Sequence, residues 1–217
     1  MILPLGAGGS KSPMKKLFTF MATVFICSLA FVCSARAYTA IYNNLGAVSG
    51  GEDPVSSFGP LYDSFMTPST PFSLTDVQVL LEGTPDTRSL DVSVYSNASS
   101  HPGASLITIG TLSDSSLTNS MSVFDFPLAP YALSANTIYW IGLSGNTSAF
   151  WSWSLDTSGP GVANEYFANI DGVFPNNPDG PYQMLVSGII TTPEPGTMSL
   201  LLLGLGLVGT LRRKLLS

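Results

Sequence analysis

The chain has 217 residues, 45% of them hydrophobic, with 14 acidic side chains against 8 basic and a formal charge of −6 at pH 7. Between Tyr38 and Thr192 Arg88 is the sole basic residue, facing 13 acids, so this stretch sits near −12 and excludes nucleic acid or an anionic membrane surface as a natural partner. Both cysteines, Cys27 and Cys33, precede it, which excludes disulfides, thiolate nucleophiles and zinc–thiolate sites from it.

The first organised feature is Met14-Lys15-Lys16, followed by an apolar stretch from Leu17 to Val32 and by Ala35-Arg36-Ala37. A positive start, an apolar centre and small residues at an A-x-A site predict a signal helix and secretory signal peptide over residues 1–37. Signal peptidase is expected to cut between Ala37 and Tyr38. Residues 1–13 carry none of this logic and read as an N-terminal extension, with Met14 an alternative start to Met1.

Residues 38–190 change character, to short apolar runs broken by Gly, Pro, Asn, Asp and Ser. Val77, Val79 and Leu81 alternate with the strand period, preceded by Phe72 and Leu74 in the opposite phase, which predicts a bulge near Asp76. Leu90, Val92 and Val94 repeat the alternation. Further apolar runs follow at Ile107–Leu112, Met121–Phe126, Thr137–Leu143, Ala149–Leu155, Glu165–Ala168 and Tyr182–Ile190. Gly83-Thr84-Pro85-Asp86, His101-Pro102-Gly103, Ser144-Gly145-Asn146 and Ser158-Gly159-Pro160-Gly161 read as turns, and Asp171–Pro181 as the longest loop. About nine short strands at this spacing predict an all-β domain, an antiparallel β-sandwich of jelly-roll type, with a closed barrel as the alternative.

Catalytic constellations are sparse. The one histidine, His101, stands in a turn, and no G-x-S-x-G elbow accompanies it. Asp156 and Glu165 flank the Gly159-Pro160-Gly161 turn and are the pair that a glycosidase would use, whereas at strand ends they would simply face water. Trp151 and Trp153 alternate within Phe150-Trp151-Ser152-Trp153 and share a face. Outward, they would stack on sugar rings as a carbohydrate-binding module; inward, they are core, and Trp140 reads as core in either case. Asp171 and Asp179, within Asn169-Ile170-Asp171-Gly172 and Asn176-Asn177-Pro178-Asp179-Gly180, are the oxygen donors that calcium would take, though Asp-Gly is also ordinary turn chemistry. No other cofactor is expected.

The chain ends on Pro193-Glu194-Pro195, an uncharged run from Gly196 to Leu211, and Arg212-Arg213-Lys214. At 1.5 Å per residue the run reaches roughly 24 Å, short of the roughly 30 Å hydrocarbon core but extended by snorkelling cations. A transmembrane helix is expected there, its basic end cytoplasmic. Residues 191–217 thus form a third segment. Its order and spacing resemble the PEP-CTERM sorting signal of exported bacterial proteins. The resemblance implies an exosortase acting near Pro193-Glu194-Pro195 and a Gram-negative host that makes exopolysaccharide. Tyr62-Asp63-Ser64-Phe65, Leu74-Thr75-Asp76-Val77-Gln78-Val79, Val92-Ser93-Val94-Tyr95-Ser96, Pro102-Gly103 and Leu133–Trp140 are in turn similar to the choice-of-anchor extracellular domains. Together these readings describe a non-enzymatic protein, held transiently in the inner membrane and then delivered to the cell surface or extracellular matrix. Its expected role is structural or adhesive, in a biofilm and in contact with exopolysaccharide.

Overall fold

A computed structural model describes residues 37–176 and 180–190. The alternation between Phe72 and Leu81 becomes one twelve-residue strand, β4 (Phe72–Gly83), on which a six-stranded sheet is assembled. Along one edge of β4 runs β7 (Ser122–Leu133); along the other lie first β12 (Met184–Ile190) and then β9 (Ala149–Ser154). Beyond them sit β1 (Ala37–Asn43), on β12, and β2 (Ser49–Pro54), on β9.

The second sheet runs in the order β11 (Gly172–Pro175), β10 (Tyr166–Asn169), β3 (Leu61–Met66), β8 (Ile138–Ser144), β5 (Ser89–Asn97) and β6 (Pro102–Ser113). A four-residue helix, α1 (Val55–Phe58), and a single 3-10 turn, Asp114–Ser116, complete the elements among the described residues. Every strand pairing is antiparallel. The domain is therefore all-β, as the strand-period alternation predicts.

Both sheets feed one hydrophobic cluster. Leu74, Val77, Val79, Leu81 and Val186 come from the first sheet, and Leu61, Phe65, Val92, Val94, Ile141 and Leu143 from the second. Each such side chain contributes about 1.5–3 kcal/mol on burial, and with no cysteine in the domain this packing is its main source of stability.

The predicted change of phase is present. Leu74 and Asp76 face Gly188 and Ser187 of β12, so Thr75 is the extra residue of a bulge that lets Phe72 and Leu74 share the core with Val77, Val79 and Leu81. Four strands lie outside the alternation read from the sequence: β1, β2, β3 and β11. The last corrects the reading of Asp171–Pro181 as continuous loop, since Gly172–Pro175 pairs with β10. β2 has no apolar side chain before its terminal Pro54, and its place is set by its neighbour: the ring of Trp153 lies over Gly50 and Gly51, where any Cβ would collide with it. Among the described residues no helix is long and apolar enough to cross a membrane. The expected signal helix and the 196–211 segment lie outside them.

Candidate functional site

Of the tryptophans of β9, Trp151 lies in the core and Trp153 is half-buried against it. Trp151 is fully buried and stacks on Tyr182, with ring centroids 4.6 Å apart and planes 15° from parallel; its Nε1 donates to the Gln183 carbonyl at 3.1 Å. Trp153 packs against the core and is lidded by the Gly50-Gly51 backbone. The pair shares a face as the alternation requires; on it Trp151 is closed off from solvent and Trp153 keeps partial exposure. Trp140 is buried as well, its Nε1 donating to Asn97 Oδ1 at 3.1 Å.

His101 is exposed in the β5–β6 hairpin. There Ser99 and Ser100 both take positive φ, and the ring Nδ1 meets the Ser99 carbonyl at 3.0 Å. Among the described residues, no acid or nucleophile side chain hydrogen-bonds to its ring. Asp156 accepts from the Ser158 N–H at 2.8 Å, and Ser158, through its hydroxyl first and this N–H second, lowers the carboxyl below the usual range. Glu165 is buried instead, accepting from Ser64 Oγ at 2.7 Å, while Ser64 Oγ itself accepts from the Tyr166 N–H at 2.8 Å. Burial raises the Glu165 carboxyl, with the Ser64 bond opposing. Asp171 is exposed in the β10–β11 turn, where its N–H donates to Asn169 Oδ1 at 2.9 Å. Asp179 lies outside the described residues.

The most unusual polar group is one the sequence reading passed over. In β3, Leu61, Asp63 and Phe65 alternate toward the core, which places a carboxylate among them with no exposure. Tyr42 Oη donates to Asp63 Oδ1 at 3.2 Å, and Asn176 Nδ2 approaches Asp63 Oδ1 and Tyr42 Oη at 3.5 Å each and the Val162 carbonyl at 3.3 Å. Asp63 Oδ2 and Asn176 Oδ1 are buried with no hydrogen-bond partner among the described residues. Burial pushes the Asp63 carboxyl well up. Asn176, the Tyr182 backbone N–H (outside hydrogen-bonding geometry) and Tyr42 pull it down, and the Glu165 charge adds to the rise. The Tyr42 hydroxyl is raised too, by its burial and by Asp63. Beside this group opens a pocket of about 380 Å³ lined by Thr157, Asn164, Glu165, Tyr166, Pro175 and Asn176. The signal that could have found it was period two itself: an acid in phase with Leu61 and Phe65.

The processing residues Pro193, Glu194, Pro195, Arg212, Arg213 and Lys214 lie outside the described residues, as does Ala35; Ala37 and Tyr38 open β1. For the C-terminal group, sequence comparison decides. Residues 191–214 match the PEP-CTERM protein-sorting motif. All six of those C-terminal residues fall within the match. The PEP-CTERM motif marks an exported protein sorted through an exosortase, with a transient membrane stage, in Gram-negative bacteria. No curated protein matches the chain.

Proposed function

We propose that the chain is a non-enzymatic structural or adhesive component of the cell surface or extracellular matrix, associated with exopolysaccharide. The observation that carries this reading is the PEP-CTERM match following an acidic all-β domain. Signal peptidase cuts between Ala37 and Tyr38, Arg212-Arg213-Lys214 hold the C-terminal segment at the cytoplasmic face, and the exosortase acts around Pro193-Glu194-Pro195. The hydrophobic cluster common to both sheets supports a β-sandwich of jelly-roll type, and the likeness to choice-of-anchor domains supports an extracellular station. A glycosidase is disfavoured by the local engagement of both acids: Ser64 holds Glu165, and Asp156 serves its own turn.

The test is fractionation of the native host culture. Mature protein lacking residues 191–217 is expected in the exopolysaccharide fraction, and expected to leave it when polysaccharide synthesis is deleted. Equal recovery from the free medium of both strains overturns the matrix role while leaving the sorting route standing.

A further inference from the structure

Asp63 is a carboxylate with no exposure, in a segment whose only basic side chain, Arg88, is bound to Asp86 at 2.7 Å. Burying an ionised carboxylate without a counter-charge costs several kcal/mol, so buried anions are neutralised, paired or bound to a metal. Within this segment composition leaves no other basic side chain to pair with it. Around Asp63, beside the Asn176 amide nitrogen and the Tyr182 backbone N–H, oxygens gather, and their spacing is informative. Asn176 Nδ2 has two hydrogens but faces three oxygens, on Asp63, Tyr42 and Val162, all at the long limit of 3.3–3.5 Å. Its own Oδ1 has no partner among the described residues. Amide oxygen and nitrogen exchange places on a half-turn of the side chain. After that half-turn, Asn176 Oδ1 faces the same three oxygens, and one carboxylate, one amide oxygen, one carbonyl and one phenol converge.

We propose that this cluster is a hard-cation site, for Ca²⁺ in the first place, with Asp63 and Asn176 as its side-chain ligands and the Val162 carbonyl and Tyr42 hydroxyl completing the protein's share. An all-oxygen donor set with no nitrogen or sulfur selects Ca²⁺ over transition metals, and a loosely spaced one selects it over Mg²⁺. The neighbouring pocket, with Asn176 on its wall, is the way in, and the Glu165 carboxylate on the same wall adds negative charge along it. Among the described residues no three His, Cys, Asp or Glu side chains gather as a metal site, so the cluster differs from an acid-rich loop by relying on one carboxylate and neutral oxygens. It is also separate from Asp171, which stays in its exposed turn. The inference is independent of the exopolysaccharide reading.

The full chain, stripped with chelator, is titrated with Ca²⁺ alone by calorimetry, and with Tb³⁺ while exciting tyrosine, since Tyr42 would sit in the coordination shell as an energy donor. One saturable site is expected near the roughly 0.1–1 mM range of extracellular calcium modules, with Tb³⁺ luminescence displaced by Ca²⁺. Asp63→Asn, which keeps the shape of the side chain, is expected to weaken binding at least about tenfold. Asn176→Asp, which adds a charged ligand, is expected to tighten it about tenfold. A neutral, proton-bearing Asp63 makes opposite predictions: no saturable Ca²⁺ binding up to about 10 mM, ten times the weakest of those modules, and an Asn176→Asp chain that is destabilised with or without Ca²⁺. Either of those results overturns the site.

Discussion

Two residues show how single side chains set the energetics of the domain. Gly50 stands where a methyl group would collide with the six-membered ring of Trp153. Gly50→Ala is therefore expected to cost about 1–3 kcal/mol by overpacking. In a Trp153→Ala background the same substitution should lose most of that cost, because the obstructing ring is gone; urea unfolding of the four-member cycle measures this coupling directly. Asp76 is the second case. Its carboxyl is raised to about 6 by its burial and by Asp125 across the β4–β7 pair, with Ser187 and Gln78 opposing. Its Oδ1 is buried without a partner. The folded protein thus keeps this proton up to about pH 6, while the unfolded chain releases it near 3.8. More protons are bound in the folded state across that window, so this group's contribution to stability falls as pH rises through it and stays low above it. Solvent around exposed Asp125 screens the pair, which limits the effect to about 1 kcal/mol. Asp63 and Glu165, also raised, act in the same direction. Asp76→Asn should accordingly remove only part of the decline in urea midpoint between pH 4 and pH 7; an unaltered pH profile would refute the assignment.

At the scale of elements, β4 carries a testable consequence of its bulge. Deleting Thr75 brings Phe72, Leu74, Val77, Val79 and Leu81 into one uninterrupted alternation, so every core side chain keeps its face and only the ladder to β7 and β12 must adjust. Such a chain should fold with a loss of about 1–3 kcal/mol, comparable to other local strain. Deleting Gln78 instead carries Val79 and Leu81 across to the outer face. Two buried aliphatics at about 2–5 kcal/mol each approach the whole stability of a domain, and that chain should not fold. Far-UV circular dichroism and soluble yield compare the two; equal damage would show that register, not facing, dominates. The same strand explains what was legible beforehand. Its phase switch was written in Phe72, Leu74, Val77, Val79 and Leu81, and the strands β5 to β9 were equally plain because their apolar residues alternate or cluster within turn signals. β2 was not, because Ser-Gly-Gly-Glu-Asp-Pro becomes a strand only through Trp153 and the ladder to β9. Nor was the Asp63 cluster, whose members Tyr42, Asp63, Val162 and Asn176 meet only after β1, β3 and the loops flanking β10 and β11 are in place. Trp151 and Trp153 were legible as a shared face, but which face looks inward is a property of the assembled sheet.

For the molecule as a whole, the decisive relation is where the domain stops and the PEP-CTERM motif starts. Ala37 and Ile190 are cross-strand partners at the shared end of β1 and β12, and the motif begins at residue 191. Cleavage before Tyr38 would therefore remove one ladder residue, and a cut near Pro193-Glu194-Pro195 would remove none of the described ones. β12 itself is interior to its sheet, hydrogen-bonded to β1 on one side and β4 on the other. A chain ending after Thr192 should thus unfold at the same urea concentration as the domain within the full chain, because no paired strand has been lost. A chain ending after Gln183 loses β12, splits β1 from β4, removes Met184 and Val186 from the core and uncovers their neighbours; it should be insoluble. In the native host, Glu194→Ala or replacement of Arg212-Arg213-Lys214 by Ser should leave uncut protein in the inner membrane, detected as a precursor of higher mass. Folding and sorting then separate cleanly: the described strands end at Ile190, before the replaced residues, so the precursor should carry a domain with the wild-type unfolding midpoint. A Glu194 variant that matures normally would remove the exosortase step, and one that fails to fold would show that the ladder extends past Ile190.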